Sequence, residues 1–242
     1  MSTRIVAMGD GLWDLFPGGP RFGGATANYA CHASILGAKV HMVSGVGADE
    51  RGDALLEVYR KHGVNTDLVQ ALQDYPTGVV HVELKEKGLP TFTIGEKAAW
   101  DHWEWNEEIE RTVRNADALY FGTLGQRGPS ARDGIRRALK IAKATQIPRI
   151  LDINLRAPFF DDLLIRESIA LCTVLKVSDE ELNRVCQACE IDLSQSDESV
   201  LSELRTKFEL DLVVMTRGAE GAVLNHAGGV VEQPGVPAKV VD

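Results

Sequence analysis

The sequence lacks the features of a membrane or secreted protein. No stretch approaches the roughly 20 uninterrupted apolar residues that span a bilayer, and residues 1–4 lead directly into the strand-like run Ile5–Met8 without a signal-peptide pattern. Only 4 of the 242 residues are cysteine, which is too few for a disulfide scaffold. We therefore expect a cytoplasmic protein with no membrane partner.

Positive charge is also scarce. The 26 Lys and Arg residues face 35 Asp and Glu residues, giving a net charge of −9, and so we expect no nucleic-acid partner. Cys186 and Cys189 have metal-like spacing, but a zinc site normally needs about four ligands and no second Cys or His pair has suitable spacing. We interpret these two residues as ordinary reduced thiols.

What the sequence does contain is an alternation of apolar strand-like runs with amphipathic helical segments. This spacing is typical of helices that cross between parallel strands, and it predicts an α/β fold with a largely parallel central sheet. The predicted strands are Ile5–Met8, Val40–Val43, Ala118–Phe121, Ile150–Ile153, Thr173–Val177 and Leu212–Met215, and the predicted helices are Ala25–Leu36, Gly52–His62, Pro129–Thr145, Ser178–Cys189 and Glu198–Phe208.

One segment interrupts this alternation. The strand-like runs Thr77–Leu84 and Thr91–Ile94 are separated by a turn at Lys85–Pro90, with no helix between them. Two such strands in tandem predict a β-hairpin outside the main sheet, placed as a flap over a site. The alternative is an edge hairpin with no role in binding.

Two short motifs carry polar groups suited to a ligand rich in hydroxyls. Gly23 and Gly24 precede a predicted helix that carries Asn28, whose amide both donates and accepts hydrogen bonds. Asp14 follows the first strand at the edge where open α/β sheets bind ligands, and its carboxylate can accept from two hydroxyls. The alternatives are that the glycines only cap the helix and that Asp14 only closes a turn.

These motifs, Gly9–Asp14 and Gly23–Asn28, resemble the sugar-binding elements of ribokinase-like (PfkB-type) carbohydrate kinases, with the fructokinases as the nearest members. Further matching pieces follow in the family's order along essentially the whole chain: Gly45–Asp53, Gly63–Thr66, Pro76–Gly78, Asp152–Arg156, Lys176–Glu181 and Thr216–Gly221. The resemblance implies a ribokinase-like three-layer sandwich in which residues 1–242 form a single, C-terminally incomplete domain. A β-lid would be contributed by about residues 12–22 and 76–97.

The resemblance also implies an activity and its residues. The family transfers the γ-phosphoryl group of ATP to a sugar hydroxyl, with Mg²⁺ as cofactor. By resemblance, Arg156 lies near the transferred phosphoryl group or the sugar, and Glu181 organises Mg²⁺, largely through water. The implied sugar-binding residues are Asp14, Gly23, Gly24 and Asn28, and the implied nucleotide- or phosphate-binding residues are Asn154, Ser178, Thr216, Gly218 and Gly221.

Two observations from the residues accompany these assignments. Asp152, Asn154 and Arg156 alternate after a strand, so they share one side if the extended geometry continues. Ser178 stands where the family has Asn in an Asn-x-x-Glu motif, and Ser178 with Glu181 also has the signature of a helix capping box. The tryptophans of Trp100–Trp105 suit either stacking on a sugar or packing, and we favour packing.

The resemblance leaves several alternatives open. In the family, a Val-Asp like Val241-Asp242 leads into a Gly-Ala-Gly-Asp element whose Asp is the general base, and that element is not in the sequence. We therefore expect the 242 residues to be a truncated kinase that is inactive alone. A kinase of another polyol or a nucleoside is the nearest alternative, and a catalytically silent sugar-binding or regulatory module is another. A dehydrogenase is disfavoured because its fingerprint is missing. A homodimer through the lid is a further expectation by resemblance.

Overall fold

The computed structural model describes residues 2–84 and 90–238. The chain divides into two compact units, Met1–Ile147 and Pro148–Asp242. Strands and helices alternate through both units, as the α/β class predicts. Most of the turn expected at Lys85–Pro90, and the Val241-Asp242 ending, lie outside the described residues.

Unit 1 contains eight strands and four α-helices among its described residues. The strands are β1 (Arg4–Met8), β2 (Leu12–Phe16), β3 (Gly19–Gly23), β4 (Lys39–Gly47), β5 (Val69–Leu72), β6 (Gly78–Leu84), β7 (Pro90–Ile94) and β8 (Ala118–Gly122), and the helices are α1 (Ala25–Ile35), α2 (Glu50–Lys61), α3 (Glu107–Arg114) and α4 (Pro129–Ala144).

Four of these strands form a parallel sheet in the order β8-β1-β4-β5. Every residue of β8 is buried, and all of β1 after Arg4 is buried, because parallel sheets are covered on both faces. Met8, Met42, Leu119 and Phe121 have no exposed side-chain surface in this core. The predicted strands at Ile5, Val40 and Ala118 are thereby confirmed.

The other four strands of unit 1 form a second sheet, in the order β3-β2-β6-β7, which we call the lid. Strands β6 and β7 pair antiparallel, so the hairpin predicted from Thr77–Leu84 and Thr91–Ile94 is confirmed. Strand β2 pairs antiparallel with β3 and parallel with β6. Asp14 therefore lies inside a strand rather than in a turn, because residues after Gly11 extend to pair with β3.

Unit 2 contains five strands and three α-helices among its described residues. They are β9 (Arg149–Asp152), α5 (Asp162–Leu171), β10 (Val174–Ser178), α6 (Asp179–Cys189), α7 (Asp197–Lys207), β11 (Leu212–Thr216), β12 (Gly221–His226) and β13 (Gly229–Pro234). Strands β9, β10 and β11 are parallel, and β12 and β13 continue the sheet in antiparallel pairing. Leu151, Leu175 and Val213 are fully buried at its centre.

The tryptophan cluster is part of the core of unit 1. Trp100 is 1% exposed and Trp103 is 0% exposed, which confirms packing for these two residues. The Trp103 ring lies so close to Gly134 of α4 that a Cβ there would overlap it. No helix within residues 2–84 and 90–238 is both long and apolar enough to cross a bilayer.

Candidate functional site

The turn between β1 and β2 holds a buried carboxylate, that of Asp10, which is 2% exposed. Its Oδ2 accepts from Ala25 N–H at 2.6 Å, and its Oδ1 accepts from the Thr26 hydroxyl at 2.8 Å and from Thr26 N–H at 3.4 Å. The backbone carbonyl of Asp10 accepts from Ala27 N–H at 3.1 Å. Asp10 therefore satisfies the first three N–H groups of α1, which a helix start otherwise leaves without partners.

Asp14 lies in strand β2, four residues after Asp10, and its side chain points towards β3. Gly23 pairs with Leu12 of β2, and a Cβ on Gly23 would overlap the Asp14 carboxylate, so a larger residue there would have to displace that carboxylate. Burial, and secondly the charge of Asp10, raise the pKa of Asp14 above its usual value. Among the residues that the structure describes, no group donates a hydrogen bond to this carboxylate, which leaves it available to a ligand.

The start of α1 completes this cluster of predicted residues. Gly24 precedes the helix with φ 102°, and a Cβ there would lie 2.9 Å from the Asp10 carbonyl oxygen. Asn28 is exposed, one helical turn later, and its N–H donates to the Gly24 carbonyl at 2.9 Å. The structure thus brings Asp14, Gly23, Gly24 and Asn28 together around the start of one helix.

Charged side chains fix both ends of the hairpin β6-β7 to the rest of unit 1. Before β6, Asp49 accepts from Thr77 N–H at 2.9 Å and from the Thr77 hydroxyl at 2.7 Å, while it also caps α2. After β7, Arg127 donates to the Gly95 carbonyl at 2.8 Å. Arg127 is itself held by Asp101, with both side chains buried.

Unit 2 gathers a second set of predicted residues at the end of β10. Ser178 and Glu181 form a complete capping box at the start of α6, as the sequence predicts. Glu181 Oε2 accepts from Ser178 N–H at 3.0 Å and from the Ser178 hydroxyl at 2.9 Å, while Oε1 accepts from Leu155 N–H at 2.7 Å. Glu181 therefore ties the segment after β9 to the segment after β10.

The segment after β9 departs from the expected geometry. Strand β9 ends at Asp152, and Asn154 has φ 37°, so the extended alternation that would align Asp152, Asn154 and Arg156 does not continue. Asp152 Oδ1 lies 3.1 Å from the Lys176 ammonium. Arg156 is exposed and donates to the Leu155 carbonyl at 3.0 Å, which leaves most of its fork open to solvent.

The loop from β11 to β12 contains the remaining predicted residues. Thr216 ends β11 beside Ser178 in the parallel register. Gly218 has φ 52° with open space at its Cβ position, whereas Gly221 has φ 99° and a Cβ there would overlap the Gln233 carbonyl of β13. Gly218 is therefore the position where another molecule can approach the backbone, and Gly221 is required by packing.

The described residues contain no group of three or more His, Cys, Asp or Glu that could enclose a metal ion. Glu181 nevertheless suits a magnesium ion held through water. A carboxylate has about four acceptor sites, and three of those on Glu181 are occupied by protein donors. The remaining site can accept from a metal-bound water, which is the mode that Mg²⁺ often uses.

Reasoning from the sequence missed the residues that support the site through hydrogen bonds to the elements around it. Asp10, Asp49 and Arg127 each act through partners at least 15 residues away or on another element. The only local signal was the spacing of Asp49 before α2, which is typical of a helix cap. Cys186 and Cys189 are buried free thiols, and burial raises their pKa values to about 12 and about 11.

Comparisons with known proteins give relatives over nearly the whole length. Fructokinase of Escherichia coli is 24% identical over 252 aligned residues, covering 100% of this chain and 80% of that protein. Aminoimidazole riboside kinase of Salmonella typhimurium is 26% identical, covering 99% of this chain and 76% of that protein. The solved structure of an uncharacterised sugar kinase of Pyrococcus horikoshii in complex with ATP matches with a TM-score of 0.80 and 25% identity, covering 98% of this chain and 79% of that one.

The fold agrees with these relatives: an α/β arrangement with a mostly parallel central sheet, as in ribokinase-like kinases. The family model described as pfkB family carbohydrate kinase matches residues 19–242. That range includes Gly23, Asn28 and the whole of unit 2. The chain therefore belongs to the pfkB family of carbohydrate kinases.

Proposed function

We propose that this protein functions in the ATP-dependent phosphorylation of a sugar hydroxyl, with fructose as the acceptor. The observation that carries the proposal is the half-buried Asp14 carboxylate, which lies against Gly23 and which no described residue hydrogen-bonds, together with the exposed Asn28 one turn into α1. A carboxylate accepts from two neighbouring hydroxyls, and an amide both donates and accepts. These groups suit a polyol better than an apolar ligand.

The electrostatics of this cluster favour a neutral acceptor. Asp10 and Asp14 are near enough for the Asp10 charge to raise the pKa of Asp14. An added phosphate beside these two carboxylates would meet repulsion. The α1 N-terminus cannot offset that repulsion, because Asp10 already takes its first three N–H groups. We therefore propose a free sugar rather than a sugar phosphate.

Unit 2 is proposed to bind the donor nucleotide. Gly218 leaves room for close approach to the backbone, and Thr216 and Ser178 add hydroxyls at neighbouring strand ends. Asn154 and the exposed fork of Arg156 are proposed to contact phosphate oxygens, which a guanidinium binds in two-point fashion. The likeness to a sugar kinase solved with ATP supports this assignment.

Mg²⁺ is proposed as cofactor, held by Glu181 through water. When bound, it neutralises charge on the phosphates. The contribution of the chain is orientation: Glu181 fixes Leu155 and Ser178 relative to each other, and so fixes the flanking Asn154 and α6. Such positioning and charge stabilisation account for most of phosphoryl transfer, which needs little covalent chemistry from the protein.

The lid is proposed to cover the bound sugar. Asp14 lies on its strand β2, and the Asp49–Thr77 and Arg127–Gly95 bonds fix the ends of its hairpin. Excluding water in this way limits wasteful hydrolysis of ATP. The open edges of the lid, strands β3 and β7, are also proposed to pair with a second copy in a homodimer, which sizing chromatography tests.

Two alternatives remain as candidate functions. The 26% identical riboside kinase favours a nucleoside acceptor in the same cluster. A binding module without turnover is the other candidate, and it predicts binding of fructose with no production of ADP from ATP. We propose that these residues alone bind sugar without phosphorylating it. The proposed compartment is the cytoplasm, where four buried thiols stay reduced.

Calorimetric titration of the chain with fructose tests the proposal. We expect fructose to bind, and we expect Asp14→Ala or Asn28→Ala to weaken binding at least about tenfold, because each removes hydrogen bonds made to the sugar. Asp74→Ala, at an exposed aspartate of the same unit, is the control. Binding of a riboside but not fructose would transfer the proposal to nucleosides, and binding unchanged in both site variants would overturn it.

A further inference from the structure

We propose that Asp10 is a positioning residue for the sugar: its buried carboxylate fixes the start of α1 and so sets Asn28 relative to Asp14. This inference rests on the proposed function. The sequence offers no local signal for it, because the partners of Asp10 lie 15 and 16 residues away.

The turn that carries Asp10 is itself held firmly by the parallel sheet. Gly9 N–H donates to the Val43 carbonyl at 3.2 Å, and the Ser44 hydroxyl donates to the Gly9 carbonyl at 2.7 Å. On the other side, a Cβ at Gly11 would overlap the hydroxyl of Tyr59, which is fully buried. The residues on both sides of Asp10 are therefore held in place by the sheet and by Tyr59.

The position of Asp10 in turn determines where α1 begins. Gly24 is the residue before the helix and supplies no side-chain cap, so the capping acceptors come from Asp10 instead. A negative charge at this end is also favourable to the helix dipole. Since Asn28 lies one turn into α1, a shift of the helix start moves the Asn28 amide by a similar amount.

The same turn leads directly into β2 and Asp14. Leu12 of β2 pairs with Gly23 of β3, and the Asp10 carboxylate accepts from the first N–H of α1. The segment that carries Asp14 and the segment that leads to Asn28 are therefore connected at two places. Asp14 and Asn28 are thus held from a common point. Displacements of about 1 Å in a group that positions a substrate can cost about a hundredfold in rate, so the geometry set at this point matters for how the sugar is held.

The test uses calorimetry with fructose on the full 242-residue chain. Asp10→Asn replaces one acceptor oxygen by an amide group, and Thr26→Val removes the hydroxyl donor while keeping the side-chain shape. We expect each to raise the dissociation constant for fructose at least about tenfold. Thr26→Ser retains the hydroxyl, and we expect it to stay within about threefold of the original protein.

Asn106→Ala is the control for a merely structural loss. Asn106 caps α3 in the same unit by accepting from Ile109 N–H at 2.9 Å, so its removal costs a cap without touching α1. We expect lower thermal stability but fructose affinity within about twofold. If Asp10→Asn does not fold, the comparison of Thr26→Val with Thr26→Ser decides.

The outcomes separate this inference from the proposed function. Fructose binding that is unchanged in Asp10→Asn and Thr26→Val would overturn the positioning role and leave the proposed function standing. Equal weakening in Asn106→Ala would overturn it as well, because any lost cap would then have the same effect. Absence of fructose binding in the original chain would overturn the proposed function and this inference together.

Discussion

Arg127 and Asp101 form a buried ion pair with two parallel hydrogen bonds, each 2.8 Å long, from Arg127 Nε and Nη2 to the two carboxylate oxygens. Their side chains are 7% and 6% exposed. Arg127 also lies over the Trp100 ring, with its central carbon 4.8 Å from the ring centroid. The pair therefore joins the residue after β7 to the buried tryptophan cluster.

Removing one partner of this pair should destabilise the protein strongly. We expect Asp101→Ala to lower the free energy of unfolding by about 3–5 kcal/mol, because Arg127 would remain buried without its counter-charge. The control is Asp133→Ala, which breaks the exposed pair with Arg137 and should cost about 0–1 kcal/mol. Urea unfolding measures both, and equal losses would contradict the structural role of the buried pair.

Asp14 should bind sugar at the expense of stability. Its pKa is raised in the folded state, so folding favours the protonated form, and this stabilisation is present at low pH and lost as pH rises through the folded pKa. Sugar binding has the opposite sign, because the ionised carboxylate accepts from hydroxyls. We expect fructose affinity to fall on acidification, beginning above the usual pKa of aspartate, near 3.9.

Asp14→Asn separates these two effects. At neutral pH we expect this variant to unfold at a higher temperature than the original protein, because it removes a partly buried charge beside Asp10. We also expect its fructose affinity to lose the pH dependence between about pH 4 and pH 8. An Asp14→Asn variant that keeps the acid loss of affinity would show that another group controls it.

Gly24 should be required for more than its backbone angle. Gly24 and Gly37 have similar φ values, 102° and 97°, but a Cβ would meet the Asp10 carbonyl at Gly24 and nothing within 4 Å at Gly37. Both alanine variants should pay the backbone strain of about 1–2 kcal/mol. Only Gly24→Ala should also lose fructose affinity, measured by calorimetry. Equal affinity in the two variants would contradict the close contact with Asp10.

Ser178 and Ser196 allow capping to be separated from nucleotide binding. Each is the N-cap of a helix in unit 2, Ser178 of α6 and Ser196 of α7. Alanine at either position should lower the free energy of unfolding by about 1 kcal/mol. We expect only Ser178→Ala to weaken ATP binding, because Ser178 also holds Glu181. Unchanged ATP affinity in Ser178→Ala would remove Ser178 from the donor site.

The sequence predicted the regular elements well because hydrophobic periodicity and caps are local. The strand at Ile5, the hairpin after Thr77 and the capping box of Ser178 and Glu181 all follow from residues within a few positions of one another. Long-range contacts carry no such signal. Asp10 was therefore missed, and the alternative of a turn at Asp14 is wrong, because pairing with β3 makes Asp14 part of a strand.

The backbone conformation of the residues between elements was the second feature that could not be predicted from the sequence. Asn154 adopts φ 37°, a local choice that asparagine tolerates but that the preceding apolar strand does not predict. The alternation drawn from Asp152 to Arg156 failed for that reason. The strands β12 and β13 also passed unnoticed, because they are partly exposed antiparallel strands whose apolar runs are short and interrupted by polar residues.

The central claim is that the start of α1 and strand β2 bind the sugar. A crystal structure of the chain soaked with fructose and a non-hydrolysable ATP analogue tests it most directly. The account predicts sugar hydroxyls within hydrogen-bond distance of the Asp14 carboxylate and the Asn28 amide, and analogue phosphates or ribose against Gly218. Fructose bound elsewhere, with Asp14 and Asn28 contacting only solvent, would contradict it.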